Sequence, residues 1–267
     1  MKWTVSQSTI GSCICRVSIL VIGAALASQG ARANDDASPE VGTAVTIKRE
    51  VVATLGDDKR DLHEGGRVRR TEYLQTGEGA QAELKLDDKT KLAIGPNAGL
   101  KLDDFVIGKA DGASISINFV KGTFRFITGS ESKDAYKIVT PSASMGVRGT
   151  VFDVYVDDSG DTLVLLHEGE VEICTKQNTC RRHNSAGRIV HATVAGVISA
   201  PLKFTNGLIP GLSVGGAFPF VGKALRIDPI RRLSSAKLLD GSAGNAGRAI
   251  TGGGRSVGRK LRKALPF

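Results

Sequence analysis

At 267 residues the chain can bury one good core, or one domain plus an appendage. Its formal net charge of +9 is a property of one end, because residues 203–267 carry twelve Lys/Arg against only Asp228 and Asp240. The overall pI therefore describes no folded surface, and it does not mark a nucleic-acid-binding fold.

The N-terminus reads as an address. Lys2 and Arg16 precede an 11-residue apolar run, Val17–Ala27, and small residues then offer cleavage at Ala31-Arg32-Ala33 or, as the lesser choice, at Ala25-Leu26-Ala27. A basic start, a short apolar region and an A-x-A site describe a secretory signal peptide over 1–33, with export to the periplasm or beyond. An uncleaved anchor is the alternative, but the run is about half the length a membrane span needs.

Residues 34–42 form a polar lead-in, and from Val45 to Val194 the chain reads as about a dozen short strands separated by turns. Ala82, Leu84 and Leu86 alternate with Gln81, Glu83 and Lys85, and Asp87-Asp88-Lys89-Thr90 turns the chain back through Leu92 and Ile94. Ile115, Ile117 and Phe119 alternate next; Lys121-Gly122 reads as a turn, and Phe124, Phe126 and Thr128 follow. Pro141, Gly146 and Gly149 then form a rigid elbow between Tyr136–Thr140 and Val151–Val156. Beyond it, Thr162–His167 is a strand, Glu168-Gly169 a tight turn, and Val171 and Ile173 begin another strand. No stretch of this region carries a 3.6-residue period. The pattern predicts an all-β domain over 45–195, a solenoid-like β-roll or, alternatively, a β-sandwich.

Export leaves two cysteines, Cys174 and Cys180, spaced C-x5-C in CTKQNTC. In an oxidising compartment they predict a disulfide closing that loop; a metal pair would need closer spacing and two more ligands. From Pro201 the chain changes character. Phe204–Gly222 is uncharged but broken by Pro210, Pro219 and several glycines, which argues against a membrane span. The remainder is Gly-rich and basic, so 201–267 reads as a tail, largely flexible. Within it Arg259, Lys260, Arg262 and Lys263 could meet an anionic envelope lipid or polymer. Nucleic acid is disfavoured, since the segment lacks base-stacking aromatics.

Motifs that would carry chemistry fail one by one. The Gly216–Lys223 stretch has five residues between its glycines where a phosphate loop has four, and Ala224 stands where a hydroxyl would hold magnesium. Ser142 and Ser144 lie outside any G-x-S-x-G elbow. His63, His167, His183 and His191 are scattered, and His167 beside Glu168 reads as a strand-end surface pair before an acid/base dyad. Asp157, Asp158 and Asp161 read as a solvated turn before a calcium site. The expectation is no catalytic residue, no cofactor and no metal.

Seven pieces in order complete the reading: Gly65–Thr71, Gly79–Leu84, Leu92–Asn97, Val120–Phe124, Val139–Pro141, Val147–Phe152 and His167–Val171. Each is weak alone. Together they resemble the FecR domain over roughly residues 50–175. The resemblance implies a non-enzymatic bacterial envelope β-domain, in which Thr140, Pro141, Arg148, Gly149, Thr150, Phe152 and Gly169 carry the motif. In the family's signalling members the domain is periplasmic, follows a membrane span and a cytoplasmic anti-sigma segment, and receives a signal from an outer-membrane TonB-dependent transporter. Here the apolar run begins at residue 17 and leaves no room for such a segment. The expectation is therefore a standalone exported binding or scaffold module, with a sigma-factor signal transducer as the alternative and an envelope hydrolase using His167/Glu168 as a remote third. Arg148 stands out as a charge beside an elbow, pairing locally or touching a partner.

Overall fold

A computed structural model describes residues 38–106, 114–132, 135–205 and 208–238. Among the described residues it is all-β: fourteen strands in one continuous hydrogen-bonded network, with two four-residue helices. The signal-like segment 1–33 and the basic residues Arg259, Lys260, Arg262 and Lys263 lie outside the described residues.

The strands fall into two layers. In the first, β1 (Glu40–Lys48), β4 (Arg67–Arg69), β6 (Gln81–Leu86) and β7 (Lys91–Ile94) pair antiparallel in the order β4-β1-β6-β7. In the second, β2 (Val51–Leu55), β3 (Asp58–Asp61), β5 (Tyr73–Thr76) and β8 (Gly99–Val106) pair in the order β3-β2-β5-β8. Three 14-residue strands then run through both layers: β9 (Ser114–Ile127), β11 (Ala143–Val156) and β12 (Thr162–Thr175). The first half of β9 pairs with β8 and the second with β7. The second half of β11 adds to that second half of β9, whereas its first half pairs with β10 (Tyr136–Val139). β10 in turn runs parallel to the first half of β9. The two halves of β12 end the layers against β14 (Ile189–Ala192) and β13 (Cys180–His183).

These long strands replace pairs of shorter ones predicted from sequence. Gly122 (φ 92°), Gly149 (φ 59°) and Gly169 (φ 84°) do adopt the left-handed backbone that suggested tight turns. In β11 and β12 that freedom serves a bend inside a continuous strand, with the pairing register shifting between Arg148 and Phe152. There the two strands touch backbone to backbone: a Cβ on Gly169 would lie 2.4 Å from the Gly149 carbonyl oxygen.

Between the layers lies the main core. Phe124, Phe126 and Phe152 fill it as alternation predicts, with the Phe126 and Phe152 ring centroids 5.3 Å apart. The pairing edges are blunted by charge: β3 reads DKRD, β4 RVR and β13 CRRH, which discourages edge-to-edge association. At β13 the predicted disulfide is present, joining Cys174 and Cys180 as direct cross-strand partners.

The tail departs most from expectation. Up to Leu238 it is packed, not loose, and crosses the outer face of the first layer as a strap. Phe204, Ala217, Phe218, Val221 and Leu238 cover Leu163, Leu165 and Ile189, while Phe220, Leu225 and Ile227 cover Ala93. The helices α1 (Val214–Ala217) and α2 (Ser235–Leu238) belong to it. The physical reason is apolar area: each buried phenylalanine contributes roughly 1.5–3 kcal/mol, enough to order a segment whose only regular structure is two single-turn helices.

A candidate recognition face under the strap

The outer face of the first layer is built row by row from strand register. Glu83 lies opposite Ala93, Ala93 opposite Arg125, Arg125 opposite Asp153, Asp153 opposite Leu165, and Leu165 opposite Ile189. Alternation sends Phe124 and Phe126 inward and therefore Arg125 outward; Phe152 and Val154 do the same for Asp153. Outward is not into water here, because the strap buries both side chains completely.

A charge cluster results. Arg125 donates from Nε to Asp153 Oδ1 at 2.6 Å and from Nη2 to Asp153 Oδ2 at 2.8 Å. His167 Nε2 lies 3.1 Å from the same Oδ2. Burial alone would raise the Asp153 carboxyl, but His167 and Arg125 outweigh it and hold the carboxyl below its usual range. The strap supplies the remaining members. Asp228 Oδ2 accepts from Arg232 Nε at 2.7 Å and stands 3.5 Å from Arg125 Nη1. Arg232 also reaches Glu168, and the Phe220 ring sits over the Arg125 guanidinium at 5.9 Å. Beside the cluster, buried Glu83 accepts from the Ile227 backbone N–H at 3.0 Å.

This arrangement corrects the reading of His167 as half of a surface pair. His167 is buried on Asp153, whereas Glu168 turns to Arg232 on the strap. The two do not form a dyad. The Asp157 turn is likewise occupied: Asp157 Oδ1 accepts from Ser159 Oγ and the Asp161 N–H, and Asp161 holds His191 Nε2 at 3.2 Å and the Val194 N–H at 2.9 Å. Among the described residues no group of three or more His, Cys, Asp or Glu could hold a metal ion. A cleft of about 390 Å3 opens where the strap leaves the sheet, between Lys121, Tyr155, Asp157 and Asp158 on one side and Gly216 and Pro219 on the other.

Thr140, Thr150 and Phe152 sit in the framework. Thr140 closes the β10–β11 turn, its N–H bonded to the Ala143 carbonyl, and a buried hydroxyl chain runs from Ser142 through Thr162 to Thr140. Thr150 fixes the β11 bend by donating its N–H to Thr128 Oγ1 at 2.9 Å. Arg148 lies opposite Glu170 in register, and its side chain is outside the described set. Sequence reasoning missed Arg125, Asp153, Asp228 and Arg232. A charge set in each of two strongly apolar strands, F-R-F and F-D-V, was the available signal.

Residues 72–172 match the family model described as FecR protein. Over these residues the chain is FecR-like. Such domains are regulatory rather than enzymatic, and here the domain contributes Arg125, Asp153, His167 and Glu168 to the face while the strap lies beyond its matched boundary. No curated protein matches the chain. Two solved structures are similar to it, each described as a "putative anti-sigma factor" from Parabacteroides distasonis ATCC 8503 and each 14% identical. The one at 2.50 Å resolution gives a TM-score of 0.39 over 48% of this chain and 57% of that one. The one at 1.65 Å resolution gives 0.41 over 68% of this chain and 92% of that one. No helix among the described residues is long and apolar enough to cross a membrane, and the FecR match and the Cys174–Cys180 disulfide just beyond it are compatible with an envelope location.

Proposed function

We propose that the chain is a non-enzymatic regulatory module of the cell envelope, which relays a signal by binding a partner protein. The FecR domain at 72–172 is the observation that carries this reading. In the family's signalling members this domain stands between an outer-membrane transporter and a sigma factor, and the same step is proposed here. Export through residues 1–33, with cleavage near Ala33, belongs to the proposal, as does contact of the basic residues 259–263 with an anionic lipid or polymer. The geometry supports a binding role: the groups capable of acid–base work, His167 and Asp153, are tied to each other and to Arg125.

Transcript profiling of a deletion strain tests the reading. The expected result is a several-fold change in the genes of one alternative sigma factor, reversed when the chain is supplied in trans. Unchanged transcripts, together with recovery of a structural envelope component by cross-linking, would return the chain to a passive binding or scaffold module. Sequencing the mature N-terminus from fractionated cells checks export separately.

A further inference from the structure

The outer face of the FecR domain is finished by residues that the domain does not contain. Arg125, Asp153 and His167 fall within 72–172, whereas the carboxylate before Arg125 and the ring above it, Asp228 and Phe220, come from the strap. The fit is incomplete at one atom. Arg125 Nη1 is fully buried and makes no hydrogen bond, since the Asp228 carboxylate stops 3.5 Å away. A buried charged donor without an acceptor is costly, and a closer carboxylate would recover a charge-assisted hydrogen bond.

The strap is also held differently from the strands beneath it. Among the described residues its ladder contact is one isolated bridge, Ile189 to Leu202, near its start. Beyond it the strap is anchored by side-chain packing, by single bonds such as that from the Ile227 N–H to Glu83, and by an ion pair ending on Glu168, which is 63% exposed. Few ladder bonds and an exposed last contact are features of a segment that opens locally.

We propose that this face is a peptide-recognition surface, that strap residues 217–232 are its internal occupant, and that its external ligand is a partner peptide pairing an aromatic residue with a carboxylate that reaches Arg125 Nη1. The aromatic takes the Phe220 position over the guanidinium and against Ala93; the carboxylate takes the Asp228 position before Arg125 Nη1. A peptide without the carboxylate leaves Arg125 Nη1 without an acceptor in a dry site, which supplies the discrimination. The inference rests on the regulatory reading and adds how a partner gains access: the strap must leave.

A labelled peptide of residues 215–233 is the probe, titrated against the full chain and against the full chain with its own strap weakened by Phe220→Ala and Asp228→Ala. The weakened chain is expected to bind at least roughly tenfold tighter than the unaltered one, and a peptide carrying Asp228→Ala to lose about tenfold or more, because it no longer brings a carboxylate to Arg125 Nη1. Absence of binding by a weakened chain that retains native near-UV dichroism overturns the proposal. Should that variant fail to fold, native-state hydrogen exchange on the unaltered chain decides. The Ile227 and Leu225 amides are expected to exchange at least tenfold faster than those of β11, and equal protection makes the strap a fixed part of the core and ends the proposal. Both measurements use purified protein and are blind to transcription, so either reading can fail while the other stands.

Discussion

Arg125 and Asp153 are register partners on neighbouring strands, so sheet pairing itself brings the two charges together. The fork they form is bidentate and fully buried. Its geometry is inherited from backbone hydrogen bonds, which leaves little side-chain entropy to lose on pairing. A pair fixed in this way is costly to break from one side only.

Arg125→Met is expected to destabilise the chain by about 3–5 kcal/mol in urea unfolding, because it strands the Asp153 carboxylate in a dry site. Arg125→Met with Asp153→Leu is expected to recover most of that loss, as an apolar pair suits the covered face. Equal losses in the single and double variants would show that the cost lies in packing and not in the stranded charge.

Two titrations shape the pH dependence. The Asp153 carboxyl is held below its ordinary value despite burial, so its stabilisation is complete above the unfolded value near 3.9 and is lost as pH falls through the folded one. Asp153→Asn is expected to flatten the acid limb below about pH 4. Burial also pushes the His183 imidazole down, partly offset by its hydrogen bond to the Arg188 carbonyl. The native state therefore binds that proton less readily than the unfolded chain, and stability declines as pH drops below about 6.5. His183→Gln is expected to reduce the slope between pH 7 and 5, read from urea midpoints at each pH.

Gly169→Ala tests the bend. Its φ is left-handed and the added carbon would meet the Gly149 carbonyl oxygen at 2.4 Å, so a loss above about 2 kcal/mol is expected. Gly56→Ala is the control: it shares a positive φ but meets nothing within 4 Å, and about 1 kcal/mol is expected there. Similar losses at both positions would mean that backbone strain, not strand contact, governs the site.

Reducing the Cys174–Cys180 bond, or replacing both with serine, removes a short loop constraint and is expected to cost roughly 2 kcal/mol. Thermal unfolding with and without reductant reads this directly. Amide exchange is expected to rise first in β13, which pairs with β12 alone.

What the sequence disclosed, and what it concealed, follows from distance along the chain. Phe124, Phe126 and Phe152 were legible because a two-residue period needs only neighbours. Arg125 and Asp153, interleaved with them, read as solvent-facing by the same rule, and the rule failed because the cover arrives from residues 217–232. That cover has no period of its own: Pro219 and the glycines around it interrupt both strand and helix spacing, leaving an apolar run without a direction. Gly122 and Gly169 show a subtler limit. Their left-handed backbone was foreseeable, but the same conformation serves a hairpin end or a bend within one strand, and only the pairing of distant strands separates the two.

The continuity of β9, β11 and β12 through both layers has a mechanical meaning. Layers joined only by side chains can slide or come away singly; these are stitched by peptide bonds at three adjacent places. Loosening either layer pulls on the other along the chain itself, so the β-domain resists piecemeal opening and yields, when it does, as a whole.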